Sequence, residues 1–144
     1  MSFLWDSNIL RHYVDGHPRL LDNLKKVPRR MVALPVIVTA EQLQGRAGAL
    51  LKAEPARIAH VQELFRKTQL LMSRFQILYF DEQSLAAAQQ LIAQTRTRKR
   101  YADVLIAAQT IAGHHVLVTR NSTHFRDLLP PPQLQNWIDD EISL

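Results

Sequence analysis

Apolar and polar positions along the chain fall into two kinds of segment: apolar runs of strand length, and longer stretches with helical spacing. Phe3-Leu-Trp5 reads as a short buried strand, followed by a helix through Ile9, Leu10, Tyr13 and Val14. Gly16 and Pro18 separate that helix from a second over residues 19–26. Residues 31–38 are apolar and β-branched, the pattern of a parallel strand covered on both faces. Thr39-Ala-Glu-Gln42 then has the form of a capping box opening a helix, with Glu41 at its second position. Pro55 suits the first turn of a longer helix through Ile58, Val61, Leu64 and Phe65 that ends near Phe75. Residues 76–80 form another strand, and Asp81 caps a helix through Leu85, Ala88, Leu91 and Ile92. A helix over residues 101–112 stops at Gly113, residues 116–119 form a strand, and Asn121 begins a turn or short helix through Phe125. Pro130 to Pro132 halt regular structure before a last element around residues 134–138.

Strands alternating with helices predict an α/β fold, a three-layer α/β/α sandwich around a central, mainly parallel sheet of four or five strands. No repeat, linker or composition break divides residues 1–144, so one domain is expected. In such sheets the working site lies beyond the carboxyl ends of the strands. Asp6, Glu41 and Asn121 each fall just after an inferred strand, and Asp103, at a helix start, is placed to face the same crevice.

Composition narrows the class of protein. The 144 residues are 47% hydrophobic and 22% charged, ordinary for a globular chain. No apolar stretch is long enough to cross a bilayer, so no membrane partner is expected. Residues 1–6 have neither a basic segment nor a long apolar one, which argues against a signal peptide. Cysteine is absent, which excludes disulfides and thiolate metal sites and favours the cytoplasm. The net charge of +5 fits phosphate-rich partners. Its positive groups are clustered, as Lys25, Lys26, Arg29 and Arg30 and as Arg96, Arg98, Lys99 and Arg100.

Against that basic background three acids sit at the ends of apolar elements. Each has an ordinary explanation by itself. Asp6 or Ser7 suits an N-cap, and Glu41 complements a helix dipole. Asp103 stands four residues from Lys99, but such a pair contributes only roughly 0.3–0.5 kcal/mol, a poor reason to set a charge against apolar packing. Gathered together, the acids demand a counter-charge. Two carboxylates about 4 Å apart repel by roughly 4 kcal/mol at an effective dielectric near 20. Hard oxygen ligands suit Mg²⁺ or Mn²⁺. Zinc is disfavoured, because His114-His115 lacks a spaced partner and His12, His17 and His60 fall on polar faces or in turns.

Four blocks in register resemble the PIN-domain family, and within it the VapC-type toxins of toxin–antitoxin pairs. The first is Leu4-Trp-Asp-Ser-Asn-Ile-Leu10, and the second is Val36-Ile-Val-Thr-Ala-Glu-Gln-Leu-Gln-Gly45. The third is Ala102-Asp-Val-Leu-Ile-Ala-Ala108 followed by Leu117-Val-Thr-Arg-Asn121 with His124-Phe125; the last is Leu134-Gln-Asn-Trp137. The resemblance implies a PIN-like sandwich and a metal-dependent endoribonuclease. In it Asp6, Glu41 and Asp103 match the core acids that hold one or two Mg²⁺ or Mn²⁺ ions. Ser7 and Asn8 match motif positions, and Thr119 matches a position that orients Asp6. Arg96, Arg98, Lys99, Arg100 and Arg120 are the candidate RNA contacts. The resemblance also implies a homodimer and a cognate small antitoxin whose tail occupies the acidic groove.

One position departs from the family. Many members carry a further acid where this chain has Asn121, and an amide adds no negative charge. A weaker or single-metal site is expected, and Asp127 substitutes only if the following turn brings it back. The competing reading is therefore a catalytically weak or inactive PIN-like domain that binds RNA or a partner. Two other α/β classes fit poorly. An aspartyl phosphatase needs a second Asp where Asn8 stands, and a receiver domain needs a Lys where Arg120 follows its strand.

Overall fold

A computed structural model describes residues 1–95 and 100–143. Five parallel strands form its sheet: β1 (Phe3–Trp5), β2 (Val32–Pro35), β3 (Gln76–Leu78), β4 (Val116–Val118) and β5 (Leu134–Gln135), in the order β3-β2-β1-β4-β5. Six α-helices accompany them: α1 (Ser7–Val14), α2 (Pro18–Leu24), α3 (Val36–Leu51), α4 (Ile58–Met72), α5 (Glu82–Thr95) and α6 (Tyr101–Ala112). Every residue of β1 and β2 is buried, so both faces of the sheet are covered. Trp5, Trp137 and Phe125 are its largest fully enclosed side chains. Among the described residues, no helix is long and apolar enough to cross a membrane.

The sheet order carries the functional consequence. From β1 the chain moves outward through β2 to β3, then returns to place β4 on the other side of β1. The direction of winding therefore reverses between β1 and β4. Their carboxyl ends open a crevice at that switch point, and it lies beside Asp6 and Thr119.

Several details differ from the sequence reading. The apolar run 31–38 is not one strand: β2 stops at Pro35, which is also the N-cap of α3. Pro35 has no N–H with which to extend the ladder, and its fixed φ suits a helix entry. Val36, Ile37 and Val38 are therefore helical despite their β-branching, and Thr39 opens no capping box. Its hydroxyl instead donates back to the Val36 carbonyl at 2.6 Å inside the first turn. Glu41 thus occupies the sixth position of α3 rather than the second. The second helix spans Pro18–Leu24, shorter than 19–26. On α5, Ala88 and Leu91 are buried as expected, but Leu85 and Ile92 are exposed.

Gly113 ends α6, though not by adopting left-handed backbone. Its φ is −96°, and the positive φ belongs to His114. Glycine is needed there for space, because any Cβ would collide with the His115 ring. That ring is pinned where its Nδ1 accepts a 2.9 Å hydrogen bond from the Ser2 amide.

Candidate active site

Asp6 stands where β1 turns into α1. Its backbone N–H continues the sheet ladder to the Val118 carbonyl at 3.0 Å, so the residue is fixed before its side chain is considered. As N-cap of α1, its Oδ1 accepts from the Ser7 amide at 2.8 Å. Its Oδ2 accepts from the Thr119 hydroxyl at 2.9 Å and from the Asn8 amide at 3.2 Å. Asp6 is buried, 8% exposed as a residue.

Thr119 follows β4 and is fully buried. While donating to Asp6, its Oγ1 accepts from Asn8 Nδ2 at 3.3 Å and from the Asn121 amide at 3.1 Å. Asn8 Oδ1 in turn accepts from the Arg120 amide at 3.0 Å. This network fastens the end of β4 to the first turn of α1, with Asp6 at its centre. The Asn121 backbone belongs to it.

Glu41 and Asp103 complete the acidic rim. The Ser7 hydroxyl donates to Glu41 Oε1 at 3.4 Å, so Ser7 bridges two of the acids through its amide and its hydroxyl. Burial pushes the Glu41 carboxyl above its ordinary range, with repulsion from Asp6 and then Asp103 adding to it; the Ser7 bond opposes the shift. Burial likewise raises Asp103, then repulsion from Asp6, while Arg100 and His124 pull the other way. Mutual repulsion among hard-oxygen donors is what a small divalent cation relieves, so the donor set fits Mg²⁺ or Mn²⁺. Among the described residues, however, no group of three acid or histidine side chains is arranged so that it could hold a metal ion as it stands.

These shifts give a stability prediction with a definite sign. An acid whose folded pKa is raised binds more protons folded than unfolded, so it opposes folding at neutral pH and the penalty fades as pH falls. Glu41→Gln should therefore raise the melting temperature in EDTA at pH 7 and flatten its pH dependence. Glu41 is substantially solvent-exposed, so the gain is held to at most about 1 kcal/mol. A variant that melts lower than the parent at pH 7 would show that the carboxylate is stabilising where it sits.

The structure also shows what the sequence did not. Arg100 Nη1 donates to both Asp127 oxygens, at 2.8 and 3.2 Å, and its Nε lies 3.9 Å from Asp103 Oδ2. The turn does bring Asp127 back toward Asp103, but as the partner of a cation. Arg120 pairs with Asp139 at 3.2 and 3.3 Å, both side chains about half-exposed. No periodicity announces pairs this distant in sequence. The expected contacts of Arg96, Arg98 and Lys99, and the Asp103–Lys99 pair, lie outside the described residues.

The PIN domain family matches residues 3–128, most of the chain. The chain belongs to the PIN domain family. Comparison with curated proteins found no match. Among solved structures, this PIN domain is similar to a chain of VapBC-1 from nontypeable Haemophilus influenzae, with 22% identity and a TM-score of 0.72 over 95% of this chain and 98% of that one. A chain of VapBC2 from Rickettsia felis, bound to a promoter DNA fragment, has 25% identity and a TM-score of 0.69, with coverages of 95% and 99%. A chain of DNA-bound VapBC from Salmonella typhimurium has 18% identity and a TM-score of 0.75, with coverages of 95% and 98%. The likeness runs nearly end to end in each pair. The VapC-type resemblance carried by the four sequence blocks thus holds at the level of family and fold.

Proposed function

We propose that the protein is a VapC-type toxin, a divalent-cation-dependent endoribonuclease silenced by a cognate small antitoxin. The observation that carries this reading is the grouping of Asp6, Glu41 and Asp103 at the β1/β4 switch point of a PIN domain, with Asp6 held by Thr119, Ser7 and Asn8. A net charge of +5 for the whole chain, the crevice acids included, supports a polyanionic substrate. Mg²⁺ or Mn²⁺ held by the three acids would neutralise charge on the phosphate and acidify a water near neutral pH.

The chain's own residues do the rest. Thr119 and Asn8 fix the direction of the Asp6 carboxylate, which removes a rotamer choice before any cation arrives. Glu41, the most exposed of the three acids and the one with freest access to solvent, is suited to orient the attacking water or take its proton. Hydrolysis would leave a 5′-phosphate and a 3′-hydroxyl. Asn121 supplies its backbone amide to the Thr119 network and adds no charge, in keeping with a single-cation site. Arg100 and Arg120 flank the crevice as phosphate contacts. A homodimer and an antitoxin tail that brings Arg or Lys to the acids complete the proposal.

A second reading has its own observation. Asn121 replaces an acid, and Asp127 is engaged by Arg100, so among the described residues the crevice has no free fourth carboxylate. That favours a PIN-like module that binds RNA or a partner without cutting it. Incubating total RNA with antitoxin-free protein, with Mn²⁺ or Mg²⁺ and separately with EDTA, decides between them. Discrete cuts that vanish with EDTA support the ribonuclease; intact RNA with folded protein and excess cation supports the binding module.

A further inference from the structure

Asp127 has no place in the chemistry described so far, and it carries the firmest ion pair at the rim of the acidic crevice. It sits on a turn anchored by buried Phe125, Leu128 and Leu129, in which the Leu128 and Leu129 amides donate to the Phe125 carbonyl at 3.0 and 2.8 Å. From that turn the carboxylate, 61% exposed, grips Arg100 Nη1 with both oxygens. Arg100 is the N-cap residue of α6, and its side chain makes no capping bond. The Arg100 side chain is one-third exposed, and its Nε stands 3.9 Å from Asp103 Oδ2, too far for a firm pair and near enough to flank it.

We infer that Asp127 is a positioning residue: it holds the Arg100 guanidinium on the Asp103 side of the crevice, where Arg100 receives an RNA phosphate. The inference rests on the ribonuclease reading and deepens it by assigning one anion contact and its support. An untethered arginine gives up considerable rotamer freedom when it grips a phosphate. Asp127 makes that ordering before RNA arrives, from backbone the core has already fixed. With Nη1 given to Asp127, Nε still faces the Asp103 side of the crevice, while Nη2 is buried and has no hydrogen-bond partner.

The sign of one substitution separates this from general electrostatics. Asp127→Asn removes a negative charge beside a polyanion, so charge alone predicts tighter RNA binding. Positioning predicts weaker binding. The experiment is fluorescence anisotropy of a labelled, mixed-sequence, single-stranded oligoribonucleotide in EDTA across a salt series, with thermal melting of every variant as the control for folding. Arg100→Gln should weaken binding about threefold to tenfold at low salt, as loss of one charge-assisted contact in solvent. It should also lower the log–log salt slope by about 0.7, one phosphate's share on a single strand. Arg100→Lys should keep the slope and recover part of the affinity. Asp127→Asn should weaken binding, and the double variant should bind no worse than Arg100→Gln alone.

Asp127→Asn binding as tightly as the parent, or more tightly, would overturn the positioning role. An unchanged slope in Arg100→Gln would overturn the phosphate contact. Parent protein that cuts and binds RNA while every variant matches it sinks this inference alone. Parent protein that neither binds nor cuts RNA sinks the ribonuclease reading, and this inference with it.

Discussion

Asp6→Asn is expected to lower RNA cleavage by about three orders of magnitude while leaving the fold intact. The size follows from what the carboxylate is asked to supply. A cation placed on a phosphate contributes several kcal/mol of transition-state stabilisation, and each 1.4 kcal/mol is tenfold in rate. The intact fold follows from how Asp6 is held. Asn caps a helix about as well as Asp, so the bond from the Ser7 amide survives. One amide oxygen cannot serve both the Ser7 amide and the Thr119 hydroxyl, so some of the network around Thr119 is disturbed. Far-ultraviolet circular dichroism and thermal melting should show a small loss, about 1 kcal/mol at most. Asp103→Asn should lose cleavage in the same way without touching a cap. A folded Asp6→Asn protein that cuts RNA at the parent rate would remove Asp6 from the site.

The parts of this fold legible in the sequence are those in which a single local signal governs. Asp6 closing Phe3-Leu-Trp5 marks both a strand end and an N-cap, and both are present. Helix α6 is mainly apolar between Tyr101 and Gly113, interrupted only by Asp103, Gln109 and Thr110, and its bounds match. Legibility failed where two signals overlapped. Residues 31–38 read as one strand because Val and Ile dominate, yet Pro35 outweighs their propensity and turns the chain into α3. That moves Glu41 a full turn deeper into its helix, and it still reaches the crevice because α3 starts from the end of a central strand. The two-residue β5 carries no pattern of its own and exists because it pairs with β4. The acids of the crevice were legible one by one, through their contrast with apolar neighbours. Their supports were not. The Thr119 bond to Asp6 spans 113 positions and the Arg100 grip on Asp127 spans 27, and nothing local encodes either.

Trp137→Ala should cost about 3–5 kcal/mol of stability, the range for truncating a buried aromatic ring. That is a large share of the roughly 5–15 kcal/mol that holds a domain together. Trp137 is fully buried, with its ring centroid 5.1 Å from Phe3 and 6.1 Å from Trp5, the latter edge-on. Its indole N–H donates to Gln135 Oε1 at 2.8 Å, and its carbonyl accepts from the buried Asn23 at 3.0 Å. Asn23 also binds the Asp140 carbonyl and the Ile142 amide, at 2.8 and 3.0 Å, so α2 grips this closing segment from several sides. The family match ends at residue 128, yet β5 and Trp137 complete the core beneath β1. Urea denaturation should show a lower midpoint with an unchanged slope. Trp137→Phe keeps a ring against Phe3 and Trp5 but loses the indole hydrogen bond and part of the volume, and should cost about 1–2 kcal/mol. Although Trp5 leads directly into Asp6, Asp6 is held by its own backbone and side-chain bonds, so the Phe variant should lose cleavage only as it approaches its lowered melting temperature. Loss of cleavage well below that temperature would mean that Trp137 reaches the crevice through β1, and that the core beneath this strand sets the position of its catalytic carboxylate.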